Sequence, residues 1–133
     1  MNTVNPRELS SSALAYLGDS VIEICVRRFL VSAGISHSAE LNSLALNFVR
    51  ASAQAEAVKL ILPMLTEDED GAFRRGRNMG HSSSPKSATV GQYRAATGME
   101  ALFGWLYIQG MQDRIDELFT VAYKEQIEKI IKK

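Results

Sequence analysis

Two carboxylates stand in surroundings that do not suit them. Asp19 lies in Ala13-Leu14-Ala15-Tyr16-Leu17-Gly18-Asp19-Ser20-Val21-Ile22, and Glu100 in Thr97-Gly98-Met99-Glu100-Ala101-Leu102-Phe103-Gly104-Trp105. An ionised carboxylate withdrawn from water must be paired, protonated or bound to a metal. Glycine beside it costs a helix roughly 1 kcal/mol against alanine, so something has to approach the backbone closely. Such glycines let two helices pack tightly, which would bring the two acids together. Carboxylate oxygens suit Mg²⁺, which keeps several waters for a substrate phosphate and a nucleophile. The competing reading is a structural ion pair, with Arg94, about two turns from Glu100, as the available partner. The residues alone leave both readings open.

The elements that must position these groups are helical. Val, Ile and Thr never alternate with polar residues over a strand-length run, and apolar residues recur at steps of three and four. The pattern predicts a first helix over about residues 11–32, stopped by Gly34. A second starts near Ser38 as N-cap and carries Leu41, Leu44, Ala45, Phe48 and Ala55 until Pro63. Thr66 and Glu69 form a capping box for a short helix through about Arg77, and Thr89 and Gln92 a second one for a helix ending before Gly110. A last helix, about 112–131, turns Ile115, Leu118, Phe119, Ala122, Tyr123 and Ile127 to one side. The fold class is all-α.

Length and composition set the outer limits. The chain has 133 residues, enough for a single domain with a real core. A composition of 46% hydrophobic and 23% charged residues excludes intrinsic disorder and matches a globular protein. Cys25 is the only cysteine, which rules out an intramolecular disulfide and a Cys-based zinc cluster. No run approaches the ~18–20 apolar residues of a membrane span, and the apolar stretch from Ala13 has no basic leader, so a cytoplasmic protein is expected.

The net charge is zero, but its distribution is uneven. No acid lies between Asp70 and Glu100, whereas Arg74, Arg75, Arg77, Lys86 and Arg94 all do. That interval holds the Gly/Ser/Pro-rich loop of residues 78–88, and it predicts one positive face fitted to phosphates. The plain alternative is a solvated basic surface. His81 in this loop and His37 in a turn are read as incidental, and Cys25 and Trp105 as packing residues.

The two carboxylate segments, in this order, resemble the motifs of the ribonuclease III family. Leu17-Gly18-Asp19-Ser20-Val21 is similar to its Leu-Gly-Asp-Ala-Val, and Glu100-Ala101-Leu102-Phe103-Gly104 to its Glu-Ala-Leu-x-Gly. The stretches 48–55, 74–78, Pro85-Lys86 and 93–102 resemble its Mini-ribonuclease III branch, which consists of the nuclease domain alone. The resemblance covers nearly the whole chain. It implies a homodimeric helical fold, with residues 1–133 as one catalytic domain and no separate domain for double-stranded RNA. It also implies a Mg²⁺-dependent endoribonuclease that cleaves double-stranded RNA, with Asp19 and Glu100 as catalytic metal ligands. Arg74, Arg75, Arg77, Lys86 and Arg94 would then contact RNA. The implied role is maturation of the ends of large-subunit (23S) ribosomal RNA precursor, where a ribosomal protein can present the substrate; no membrane partner is implied. Acids present in the larger enzymes fall here on Ser12, Ala15 and Thr97. Glu23, one turn after Asp19, is either an auxiliary acid or a surface acid. The missing acids keep a second reading open, a catalytically silent RNA-binding or ribosome-associated protein. A helical hydrolase of small phosphorylated molecules is a third, disfavoured because neither histidine has an acid beside it.

Overall fold

In the computed structural model, which describes residues 5–79 and 89–132, helices follow one another without a strand among those residues. They are α1 (Ser11–Ser32), α2 (Ser38–Val49), α3 (Ala51–Ile61), α4 (Glu67–Arg77), α5 (Val90–Ile108), α6 (Gln112–Ala122) and α7 (Lys124–Ile131). Short 3-10 turns at Pro6–Glu8 and Leu62–Met64 precede α1 and α4. No helix of the described residues is long and apolar enough to cross a membrane.

The central element is α5. Its buried residues include Ala96, Met99, Ala101, Leu102, Phe103 and Leu106, which lie on every side of the helix rather than on one stripe. A helix apolar all round must be surrounded, and α1, α3 and α4 pack against it. α1 contributes Val21, Ile22, Cys25, Val26 and Leu30 to the same core. Aromatic packing knits α2, α6 and the start of α7 together: the Phe48 and Tyr123 rings are 5.1 Å apart, and the Tyr123 hydroxyl donates to the Phe48 carbonyl at 2.7 Å.

Local chemistry sets most of the boundaries. Ser10 caps α1 by accepting from the Ala13 amide, and both expected capping boxes form, Thr66 with Glu69 and Thr89 with Gln92. Gly34 and Gly110 take positive φ, 91° and 74°, ending α1 and α5.

Two expected helices are each broken in two. The second breaks at Arg50, which is extended at φ −60°, ψ 146°, and the last at Tyr123, at φ −111°, ψ 26°. Neither break needs glycine or proline, so the pattern carries no signal for it; Phe48 and Tyr123, at the two breaks, are both fully buried. Ser38 is the first residue of α2 rather than its cap. The cap position is His37, which makes no side-chain capping bond.

Candidate active site

The closest approach of α1 and α5 sets the site. A Cβ on Gly18 would run into the Glu100 carbonyl oxygen, and one on Gly104 into the carbonyl of Leu14. The two backbones therefore touch, which only glycine permits. Asp19 and Glu100 flank this contact on the same side. Gly98 serves a different crossing, lying against Phe73 and Gly76 of α4.

The expected burial holds for one acid only. Glu100 is half-buried, but Asp19 is exposed. The apolar neighbours of Asp19 in sequence point elsewhere, because 100° per residue carries Leu14, Gly18, Val21 and Ile22 inward and leaves Tyr16, Asp19 and Ser20 outward. Both carboxylates line a concavity of about 380 Å³ with Ser12, Ala15, Tyr16, Met79, Tyr93 and Thr97. The positions where the larger enzymes carry further acids, 12, 15 and 97, thus all face this cavity. Thr97 brings no charge in place of a carboxylate there, and its hydroxyl donates to the Tyr93 carbonyl at 2.9 Å.

The two carboxyl groups are coupled. Burial, the charge of Asp19 and a hydrogen bond shared with it push Glu100 up to about 8. Glu100 therefore keeps its proton to a higher pH than an ordinary carboxyl group does. Arg94 is exposed and forms no ion pair with Glu100, so the structural ion pair that the sequence allowed is not made. A divalent cation fits this donor set: it would take the place of the shared proton between two carboxylates, with water completing its shell. Among the described residues no group of three or more His, Cys, Asp or Glu could hold a metal, so the protein supplies these two acids and few others. Glu23, one turn on, lines a second concavity together with Asp19 and accepts from Arg27 at 3.1 Å.

The cations expected to contact RNA fall in several places. Arg74 is bound to Asp70 at 2.8 Å, and Arg75 lies back over Gly71. Both line a groove of about 640 Å³ with Arg7, Glu67, Asp68 and Trp105, apart from the carboxylates. Arg77 sits 5.6 Å over the Phe73 ring. Lys86 and His81 lie outside the described residues. Sequence reasoning missed Tyr16, Met79 and Tyr93 as cavity-lining residues. Helical spacing held a signal for two of them, since Tyr16 is three residues before Asp19 and Tyr93 seven before Glu100.

Residues 12–111 match the Ribonuclease III domain family. The chain belongs to the ribonuclease III family of endoribonucleases. It is 42% identical over 122 residues to Mini-ribonuclease 3 of Symbiobacterium thermophilum, covering 92% of this chain and 94% of that one. It is 39% identical over 121 residues to Mini-ribonuclease 3 of Enterococcus faecalis, covering 90% and 92%. The crystal structure of a Fusobacterium nucleatum protein superposes with a TM-score of 0.83 at 28% identity, covering 92% of this chain and 94% of that one. The all-helical expectation and the family resemblance both hold.

Proposed function

We propose that the protein is a Mg²⁺-dependent endonuclease for double-stranded RNA, acting as a homodimer in the cytoplasm on large-subunit ribosomal RNA precursor. The observation that carries this reading is the carboxyl pair of Asp19 and Glu100, held together by backbone contact at Gly18 and Gly104 and left without a cation of its own. Asp19 and Glu100 would hold Mg²⁺ between them. When bound, the ion would neutralise charge on the phosphate and ease deprotonation of the attacking water.

The protein's own contribution is positional. Glu100 would have to give up its proton to serve as a ligand. The glycine contact holds the backbones of α1 and α5 together, which keeps Asp19 and Glu100 on one cavity. The site is one lobe of a larger surface. Tyr16 on α1 is 85% exposed at the edge of the carboxylate cavity. An exposed aromatic there supports a second copy that covers the Tyr16 end of α1. With residues 1–133 as one nuclease domain, the dimer doubles the surface available to a duplex. Arg74, Arg75, Arg77, Lys86 and Arg94 are the cations proposed to contact it. A ribosomal protein presenting the precursor is compatible with this arrangement.

The alternative is a silent RNA-binding protein, favoured by the neutral residues Ser12, Ala15 and Thr97 in the cavity. Cleavage of a labelled duplex separates the two. Wild type is expected to cut with Mg²⁺ and to stop with a chelator, while Asp19→Asn loses at least about a thousand-fold in rate with its fold and duplex binding retained. Undiminished cutting by Asp19→Asn removes the site assignment.

A further inference from the structure

Asp19 stands on a ridge between two concavities. One holds Glu100; the other, of about 420 Å³, is lined by Asp19, Ser20, Glu23, Ile24 and Arg27. Arg27 is the only cation among the residues lining either. With Asp19, Glu23 and Glu100 close by, a polyanion entering here meets local acidity, and the cations of α4 do not line these two hollows. Arg74 and Arg75 open onto a different groove, and Arg77 is stacked on Phe73.

The reach of Arg27 is suitable. Its side chain runs toward the helix N-terminus, as long helical side chains do, and its Nη2 donates to Glu23 Oε1 at 3.1 Å. Glu23 is one turn beyond Asp19, about 6 Å along the helix axis. That is comparable with the step between neighbouring phosphates on one strand. The guanidinium is 67% exposed and has Glu23 as its one ion-pair partner among the described residues. A pair this exposed contributes little to stability, so exchanging carboxylate for phosphate costs little. Arg28, its neighbour in sequence, is committed elsewhere, bound to Asp116 at 2.6 Å.

Resting on the endonuclease reading, we propose that Arg27 binds the phosphate adjacent to the one cut, and that Glu23 holds its guanidinium in place until the strand arrives. Arg27 is thereby a substrate-contacting residue that sets the register of the strand over Asp19 and Glu100.

The test is binding of a short blunt RNA duplex in a chelator across a salt series, with cleavage kinetics measured separately in Mg²⁺. Arg27→Met is expected to weaken binding about ten-fold and to lower the slope of log affinity against log salt by about one phosphate's worth. In kinetics the loss falls on KM. Arg27→Lys keeps the wild-type slope, Glu23→Gln tightens binding about two- to three-fold, and Arg28→Met changes the slope not at all. An unchanged slope in Arg27→Met overturns the proposal, as does a loss in Arg27→Lys equal to that in Arg27→Met. A changed mass in solution for Arg27→Met also overturns it, by making Arg27 a subunit-contact residue. Wild type that neither binds the duplex with salt dependence nor cuts it in Mg²⁺ removes the endonuclease reading itself, and this proposal with it.

Discussion

Glu69 and Glu100 are both glutamates set into apolar helical surroundings, and the protein treats them in opposite ways. Glu69 on α4 is 2% exposed and fully answered. Arg114 of α6 donates to both its carboxylate oxygens at 2.8 Å, and the Thr66 amide donates to it at 2.9 Å. Burial by itself would raise its proton affinity, but these donors outweigh burial and hold Glu69 below the usual carboxylate range. Glu100 on α5 has no such donor. Burial raises it, and its nearest charged neighbour is another acid, so it moves up to about 8. One carboxylate has been made part of the scaffold; the other has been kept short of partners. A group left with unmet electrostatic demand is available for a ligand, which is how a site differs from a structural ion pair.

Exchanging each glutamate for glutamine separates the two roles most sharply. Glu100→Gln is expected to lose at least about a thousand-fold in duplex cleavage, and to melt no lower than wild type above pH 8, since the buried charge is gone. Glu69→Gln is expected to cleave at the wild-type rate below its melting point and to melt lower. A Glu100→Gln protein that cuts normally, or a Glu69→Gln protein that does not, abolishes the distinction.

The arginine of the structural pair gives the next largest effect. Removing one partner of a buried pair typically costs about 3–5 kcal/mol, so Arg114→Met should lower the unfolding free energy from denaturant titration by an amount in that range. Arg114 also donates to the Met64 carbonyl at 2.8 Å, which adds to the loss. Pairing it with Glu69→Gln should recover part of the stability. No recovery in the double variant would mean that the carboxylate's charge is not what the arginine answers.

Acid and base should then pull the two regions apart by smaller amounts. The lowered Glu69 contributes stability that is complete above its ordinary value of 4.5 and is lost as pH falls through its folded value. The raised Glu100 works the other way. The folded, metal-free protein binds more protons than the unfolded chain between 4.5 and about 8, so stability declines as pH rises through that window. In denaturant titrations the first slope should vanish in Glu69→Gln and the second in Glu100→Gln.

What the sequence made legible follows the range of the interactions. α1 and α5 were readable because their ends are set locally, by Ser10 and Thr89 and by glycines at positive φ. Asp19 and Glu100 were readable because glycine and an acid in an apolar run are each unfavourable, and their motifs resemble a known family. The breaks at Arg50 and Tyr123 were not readable, since neither carries a glycine or proline and the contact beside them, the Tyr123 to Phe48 hydrogen bond, spans 75 positions. The Glu69 capping box was visible in four residues, but its arginine stands 45 positions away. The same limit hid the shared proton, because the hydrogen bond between Asp19 and Glu100 exists only once α1 and α5 touch.

The central claim is that the Asp19–Glu100 pair holds a proton that a divalent cation displaces. Calorimetric titration of Mg²⁺ into the protein, repeated in buffers of different ionisation enthalpy from pH 7 to pH 9, reads that proton directly. With Glu100 at about 8, binding should release nearly one proton per ion at pH 7 and only a small fraction of one at pH 9. Heats that are independent of buffer at pH 7, or a release that does not change with pH, would contradict it.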